Sequence, residues 1–341
     1  MEFLKINGAY GEGGGQIIRS AITISCITKQ PIHIEKIRMN RRIPGLRPQH
    51  LTMIKILEKI SNAYVIGAEI GSTELKFIPG EIESLELVED VGTAGSISLI
   101  LQVIIPVVSI SQKKINLTLK GGTNVQWSPT IEYTQNVLKE AYSKMGIEFS
   151  LNVIKQGYYP KGGGEINLLV NPSNLKPIFL TKRNTKNVKI ICTFSKISIN
   201  EIEKEIALIK NKLIKEKFQV EVHLENQNAL DSGASLLICS IDDNSIIGVD
   251  SIYDKKNHVF DIDIEGFMGN MFGVDDKLAD MLVVPASLTN KKSIFHVGKI
   301  SKHLETNLFV TSKITGCKYG VGKIPHGFEV IIEGISDSGI K

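Results

Sequence analysis

Apolar positions along this chain follow two periods that alternate from one end to the other. Three-to-four spacing runs through Ile17, Ile18, Ala21, Ile22 and Ile24, and again over 51–60, 94–105, 131–145, 202–213, 277–287 and 303–310. These stretches are expected to be helices with one face on a core. Two-residue alternation marks strands over 3–6, 32–37, 75–78, 115–119, 149–154, 165–170, 188–194, 219–224, 235–241 and 329–332. Turn chemistry at Lys120-Gly121-Gly122 and Asp242-Asp243-Asn244 separates neighbouring strands. The mixture predicts an α+β protein whose sheets are covered by helices. One stretch differs in character. From about 181 to 258 the chain holds a Lys/Glu-rich helix over 201–217 and almost no glycine before Gly233, and it reads as an inserted domain.

Composition narrows the picture. A chain of 341 residues with 42% hydrophobic content can build two or more cores or one large repeat array. The apolar run 96–110 is interrupted by Gln102 and Pro106, so no membrane span is expected, and no signal peptide is recognised at the N-terminus. Cys26, Cys192, Cys239 and Cys317 form no CxxC and sit in apolar surroundings, as buried thiols of a reducing cytoplasm do. The expected location is cytoplasmic.

The net charge of +4 is mild, and its distribution says more than its size. Of 40 Lys+Arg residues, only Arg19, Arg38, Arg41, Arg42, Arg47 and Arg183 are arginine. All but Arg183 fall in the first fifty residues, and no acidic residue occurs from Lys36 through Leu57. A planar guanidinium fork grips phosphate or carboxylate in a way lysine does not. Arg183, far from the cluster, is expected to tolerate lysine. Directly before the cluster stands the loop Gly8-Ala9-Tyr10-Gly11-Glu12-Gly13-Gly14-Gly15-Gln16-Ile17, between a strand and a helix. Such a junction leaves free N–H groups at the helix start, where anions bind. It is no P-loop, and Gln16 stands where a dinucleotide fingerprint needs its third glycine. A related loop recurs at Gly157-Tyr158-Tyr159-Pro160-Lys161-Gly162-Gly163-Gly164-Glu165-Ile166, which suggests an internal repeat with one functional and one structural copy.

These motifs resemble the RNA 3'-terminal phosphate cyclases. The resemblance rests on Gly11 to Gln16, on Ile37-Arg38-Met39-Asn40-Arg41-Arg42-Ile43-Pro44-Gly45-Leu46-Arg47-Pro48-Gln49-His50, and on the Gly157 to Gly164 loop. It extends through Thr93-Ala94-Gly95-Ser96 on to Gln102, Gly121-Gly122-Thr123 with Pro129, and His303-Leu304-Glu305-Thr306-Asn307. Three positions depart from the family pattern. Gln156 stands where a basic residue is usual. Lys277-Leu278-Ala279-Asp280-Met281 has lysine in place of an aromatic residue or histidine, and methionine in place of glutamine.

The resemblance implies a fold of three units, each with two helices on a four-stranded sheet, the third split around a smaller α+β insert. The division expected is 1–180 for the first two units and the start of the third, 181–258 for the insert, and 259–341 for the remainder. It also implies ATP-dependent conversion of an RNA 3'-terminal phosphate to a 2',3'-cyclic phosphate through histidine–AMP and RNA-ppA intermediates. His303 is the implied nucleophile. Arg19, Arg38, Arg41 and Gln49 are implied catalytic residues, and Arg38, Arg41, Arg42 and His50 hold the substrate phosphate. Glu12, Gln102, Pro129, Lys277, Leu278, Ala279, Asp280 and Met281 are implied to bind nucleotide, and Glu12 a divalent Mg or Mn ion.

Read from the residues alone, several positions keep two meanings. Glu12 suits a hard cation or a salt bridge to a nearby arginine. Gln102 is a buried amide or a nucleotide contact, Asp280 a nucleotide contact or a surface carboxylate, and 93–96 a helix cap or a phosphate contact. Trp127 is a stacking plate or a core residue. Of the seven histidines, only His303 matches the nucleophile motif, and His50 adjoins the arginines. Two further function classes stand beside the cyclase: a non-catalytic cyclase-like RNA-binding protein in ribosome assembly, and a carboxyvinyl transferase-like enzyme.

Overall fold

In the computed structural model, which describes residues 2–335, four sheets carry the chain. The first is built from β1 (Leu4–Asn7), α1 (Gly15–Thr28), β2 (Ile32–Glu35), α2 (Pro48–Ser61), β3 (Tyr64–Ile66) and β4 (Leu75–Ile78), in the order β1-β2-β4-β3. β1 and β2 are parallel with α1 as their crossover, and β4 pairs antiparallel with both β2 and β3. The second follows as β5 (Leu85–Asp90), α3 (Ile97–Ile110), β6 (Ile115–Gly121), then α4 (Ile131–Tyr133), which runs through a π turn, Thr134–Leu138, into α5 (Lys139–Lys144), then β7 (Phe149–Lys155) and β8 (Gly164–Val170). Its order is β5-β6-β8-β7, with the same pattern of parallel and antiparallel pairs.

A third sheet begins with β9 (Phe179–Leu180) and is finished only after a long excursion. The excursion comprises β10 (Asn187–Ser195), α6 (Ile199–Lys215), β11 (Gln219–Asn226), β12 (Gly233–Ile241), β13 (Ile246–Asp254), β14 (Val259–Phe260) and the short α7 (Ile264–Gly269). Then come α8 (Asp276–Ser287), β15 (Lys292–Val297), α9 (Lys302–Thr315), β16 (Lys318–Ile324) and β17 (Gly327–Glu333). Read from β9, the third sheet runs β9-β15-β17-β16, so in all three sheets the fourth strand lies between the second and the third.

Burial explains where the helices sit. Ile17, Ile18, Ile22 and Ile24 on α1 are fully buried, because α1 packs on α9, α3 and α2 as well as on β2 and β4 of its own sheet. Each such side chain contributes roughly 1.5–3 kcal/mol on burial. α3 was expected to end before Pro106, yet it continues to Ile110. Proline inside a helix costs about 3 kcal/mol. Val107 and Val108, both fully buried on the far side of it, keep the last turn in place.

The excursion forms a five-stranded sheet, β11-β10-β12-β13-β14. Its strands alternate between two cores. Ala234, Leu236 and Ile238 of β12 face a core made with Ile202, Ile206, Ile209 and Leu213 of α6, while Leu237 and Cys239 join the core of the rest of the molecule. The second core continues past His258 to Ile264 and Phe267. Arg183 belongs to this region. Its guanidinium lies 4.9 Å from the Phe218 ring and 4.6 Å from the Phe267 ring. It also donates from Nη1 to the Phe267 carbonyl at 2.9 Å. Lysine at 183 would lose the flat face that the guanidinium lays on two rings, a cost to packing in this region and not to the arginine cluster.

Candidate active site

The first glycine loop is held against α9. Tyr10 stacks on Phe309 with centroids 4.0 Å apart, and the Glu12 N–H donates to Thr306 Oγ1 at 3.0 Å. Thr306 Oγ1 donates in turn to the Lys302 carbonyl. Gly11 permits this approach. It has φ +54°, and a Cβ there would fall 2.2 Å from Thr306 Oγ1. The clamp sets Glu12 beside His303 in the first turn of α9, whose start is capped by Ser301 Oγ accepting from Leu304 N–H. His303 Nδ1 lies 3.9 Å from Glu12 Oε2. The histidine is half exposed and the carboxylate almost buried, at 54% and 10% of their side-chain surfaces. Glu12 is also ion-paired with Arg41, so the salt-bridge reading of Glu12 holds. Its Oε2 nonetheless has no hydrogen-bond partner among the described residues.

The arginines converge behind this loop. Arg19 follows from the first turn of α1 and donates from Nη2 to Gln16 Oε1 at 2.6 Å. Desolvation pushes Arg19 down to about 10, and Arg38 is lowered by desolvation and by nearby Arg47. Arg38 sits at φ +54°, a left-handed backbone that side chains avoid unless held there. Arg19 Nε and Arg38 Nε are buried donors without a partner among the described residues. A group of like charges with idle donors has the chemistry that binds an anion.

His50 completes the group. It is buried in the first turn of α2, and its Nδ1 accepts from the Arg47 N–H at 3.1 Å. Burial, then the surrounding Arg19, Arg38 and Arg47, push it down to about 3. The ring is therefore neutral, and with Nδ1 occupied its proton stays on Nε2. That Nε2 faces Gly15, where a Cβ would meet it at 2.6 Å. Gln49 takes a positioning place, its Oε1 accepting from the Ser96 N–H at the start of α3. Ser96 caps α3 through Leu99 N–H. Arg42 is exposed.

In front of His303 opens a cleft of about 700 Å³. Gln16, Arg19, Gln102, Pro129, Lys277, Asp280 and Met281 line it with His303. Leu278 and Ala279 do not; both are fully buried in the core beneath. Desolvation raises the Asp280 carboxyl above the ordinary range, with His303 and Arg19 acting against it. Asp280 Oδ1 accepts from Gln16 Nε2, and its carbonyl accepts from Asn307 Nδ2. Lys277 is ion-paired with Asp250, whose side chain is 1% exposed and also accepts from the Thr130 N–H.

The second glycine loop is packed tightly into the fold. Gly157 and Gly164 pack backbone to backbone, Gly233 lies against the Tyr158 ring, and Lys161 N–H donates to Asp231. Here Gln156 is fully enclosed, accepting from Thr123 and Asn124 and donating to Gln227. The buried Glu132 carboxylate shares that network, its Oε1 accepting from Asn124 and from Gln156.

Sequence reasoning missed Asp250, Gln16 and Asn307. Asp250 lies on β13, a strand whose Gly-Val-Asp-Ser run masks its alternation, and Gln16 and Asn307 acquire meaning only when α1 and α9 are placed side by side.

Clustered arginines and a cleft lined by His303 thus lie together where α1, α8 and α9 meet. The family model for RNA 3'-terminal phosphate cyclase matches residues 10–321. An RNA 3'-terminal phosphate cyclase of Saccharolobus islandicus (strain M.14.25 / Kamchatka #1) is 36% identical, with 96% of this chain and 99% of the relative covered. Those of Korarchaeum cryptofilum and Pyrococcus furiosus are 35% and 34% identical; the matches cover 94% and 93% of this chain and 96% of each relative. The chain belongs to the RNA 3'-terminal phosphate cyclase family.

Proposed function

We propose that this protein converts the 3'-terminal phosphate of RNA to a 2',3'-cyclic phosphate at the expense of ATP. The observation that carries the reading is the pairing of His303 with Glu12 beside buried, partnerless guanidinium nitrogens. A phosphate monoester is a poor electrophile, and transfer of AMP to it supplies a leaving group. An imidazole nitrogen of His303 attacks the α-phosphorus, the bond to pyrophosphate breaks, and His303 carries AMP. The RNA phosphate displaces His303 to give RNA-ppA. The adjacent 2'-hydroxyl then attacks the activated phosphorus, loses its proton, and AMP leaves.

Arg19 and Arg38 offset the phosphate charge, and the Nε2–H of His50 adds a neutral donor. Gln102, Pro129, Lys277, Asp280 and Met281 form the nucleotide wall, with Lys277 and Met281 altering the usual contacts. Among the described residues no group of three or more His, Cys, Asp and Glu could hold a metal. The idle, nearly buried Glu12 Oε2 fits a single protein ligand to a Mg or Mn ion otherwise held by phosphates and water. Such an ion, when bound, neutralises phosphate charge.

The common strand order of the three sheets supports three copies of one unit, the third split by the insert. Among the described residues no helix is long and apolar enough to cross a membrane; a cytoplasmic location is part of the proposal.

The test is incubation with ATP labelled at the α-phosphate. Wild-type protein should acquire covalent AMP, and His303→Ala should not, while retaining its far-ultraviolet spectrum. Undiminished labelling of the variant places the nucleophile elsewhere. No labelling of wild type, with RNA still bound, favours the non-catalytic binding protein. Turnover of a phosphorylated small molecule without ATP favours the carboxyvinyl transferase.

A further inference from the structure

The sole tryptophan of the chain, Trp127, is 95% exposed. So large an apolar ring seldom stands wholly in water without a partner. Its backbone is also unusual, at φ +61°. For a bulky residue this left-handed conformation is disfavoured by about 1–2 kcal/mol, and glycine or asparagine would adopt it more easily. The loop does not need the indole for its own structure. Asn124 N–H donates to the Gly157 carbonyl, Asn124 Oδ1 accepts from Ile131 N–H, Ser128 Oγ donates to the Val125 carbonyl, and Thr130 N–H donates to Asp250. The ring is thus held out by a loop fixed on both sides of it.

Its position gives it a use. Trp127 lines the same cleft as His303, Arg19 and Gln102, and it is the one Phe, Tyr or Trp among the lining residues. Because nearly all of its surface is free, it stands at the mouth of the cleft and not against the inner wall where Arg19, Gln102 and Asp280 meet. A ligand confined to the cleft leaves such a plate half used, whereas a strand entering from solvent passes over it.

We infer that Trp127 is a stacking plate for a base near the 3' end of the RNA, a binding residue that seats the strand as its terminal phosphate enters toward Arg19 and Arg38. The inference rests on the function proposed above. Aromatic stacking reads no sequence, since every base offers a π face, so the plate suits an enzyme that acts on an end.

The experiment has two independent arms. With wild-type protein, emission of this single tryptophan is followed on titration with a short oligoribonucleotide ending in 3'-phosphate, and separately with ATP. Quenching by RNA and none by ATP is expected. In the second arm Trp127→Ala and Trp127→Phe are compared. Trp127→Ala should raise KM for RNA roughly 10-fold or more, the scale of one base–aromatic stack. It should leave kcat and AMP labelling by ATP alone near wild type, and Trp127→Phe should recover most of the loss. Emission that ignores RNA, or an unchanged KM for RNA in Trp127→Ala, overturns the inference. Quenching by ATP with weakened AMP labelling also overturns it and assigns the ring to the nucleotide. Failure of wild-type protein to label at all refutes the proposed function instead, and the RNA titration still reports on the plate.

Discussion

An arginine-to-lysine change should do opposite things at Arg183 and Arg38. At Arg183 the guanidinium lies on Phe218 and Phe267 at 4.9 and 4.6 Å and donates to the Phe267 carbonyl at 2.9 Å. Desolvation pushes this group down to about 10, with Asp242 acting against it. Lysine keeps a charge but loses the planar face and the fixed donor geometry. A cation–π contact contributes roughly 0.5–2 kcal/mol and a charged hydrogen bond about 1.5–3 kcal/mol, of which lysine retains part. The expected loss for Arg183→Lys is about 1–3 kcal/mol. Urea unfolding should show a lower midpoint with an unchanged slope, and AMP labelling of the folded protein should be unaffected.

Arg38→Lys should leave the midpoint alone or raise it slightly, because it relieves a desolvated guanidinium set near Arg47 and Arg19. Its cyclisation rate should fall at least about 10-fold for want of the fork, the worth of one charge-assisted contact. If Arg183→Lys unfolds within about 0.5 kcal/mol of wild type, the size of an ordinary surface change, the ring clamp is wrong. If Arg38→Lys loses stability and keeps activity, the anion-site reading is wrong.

Gly11→Ala should cost about 1–2 kcal/mol from its left-handed backbone alone and should weaken AMP labelling by pushing Glu12 off Thr306; a fully active variant would contradict the clamp. Burial raises Asp275 from 3.8 to about 6, so the folded protein takes up this proton before the unfolded chain does. Stability should therefore fall as pH rises from about 4 to 6, by about 3 kcal/mol for this group. In Asp275→Asn the fall should be shallower, and an equal slope in both proteins refutes it. All four cysteines are buried and free, with Cys26 and Cys239 pushed up to about 12 by burial. A disulfide reagent at pH 8 should modify none of them in the native protein, and prompt reaction of any one speaks against their burial.

The periodic elements were legible where a helix or strand has one wet face and one dry face. α6 is such a case, with Ile202, Ile206, Ile209 and Leu213 turned to a core and charges outward. β16 was not, because Lys318 to Lys323 lie exposed at a sheet edge and two glycines blur the alternation. β5 was missed for its charges, Glu86, Glu89 and Asp90. In the site, the arginine cluster could be read directly, since a run without acids is visible in one dimension. The state of His50 could not, because it depends on burial and on Arg19, Arg38 and Arg47 together. Leu278 and Ala279 sit within a motif that faces the cleft, yet helix geometry turns only Lys277, Asp280 and Met281 toward it. Nor could the sequence show that Arg183 has aromatic neighbours, which come from Phe218 and Phe267, far from it along the chain.

The contact between Glu12 and Thr306 spans 294 positions, and that between Ser20 and Asn307 spans 287. The residues that flank His303 are thus made far apart in time. A nascent chain can pair β1 with β2 and close its arginine cluster long before α9 exists, but it cannot hold Glu12 in place. Synthesis itself delays assembly of the cleft, and a half-made copy has the arginines with no His303 beside them. The same separation makes the protein divisible in principle: a fragment carrying the glycine loop and one carrying α9 would each be inert, and activity would return only on their reunion.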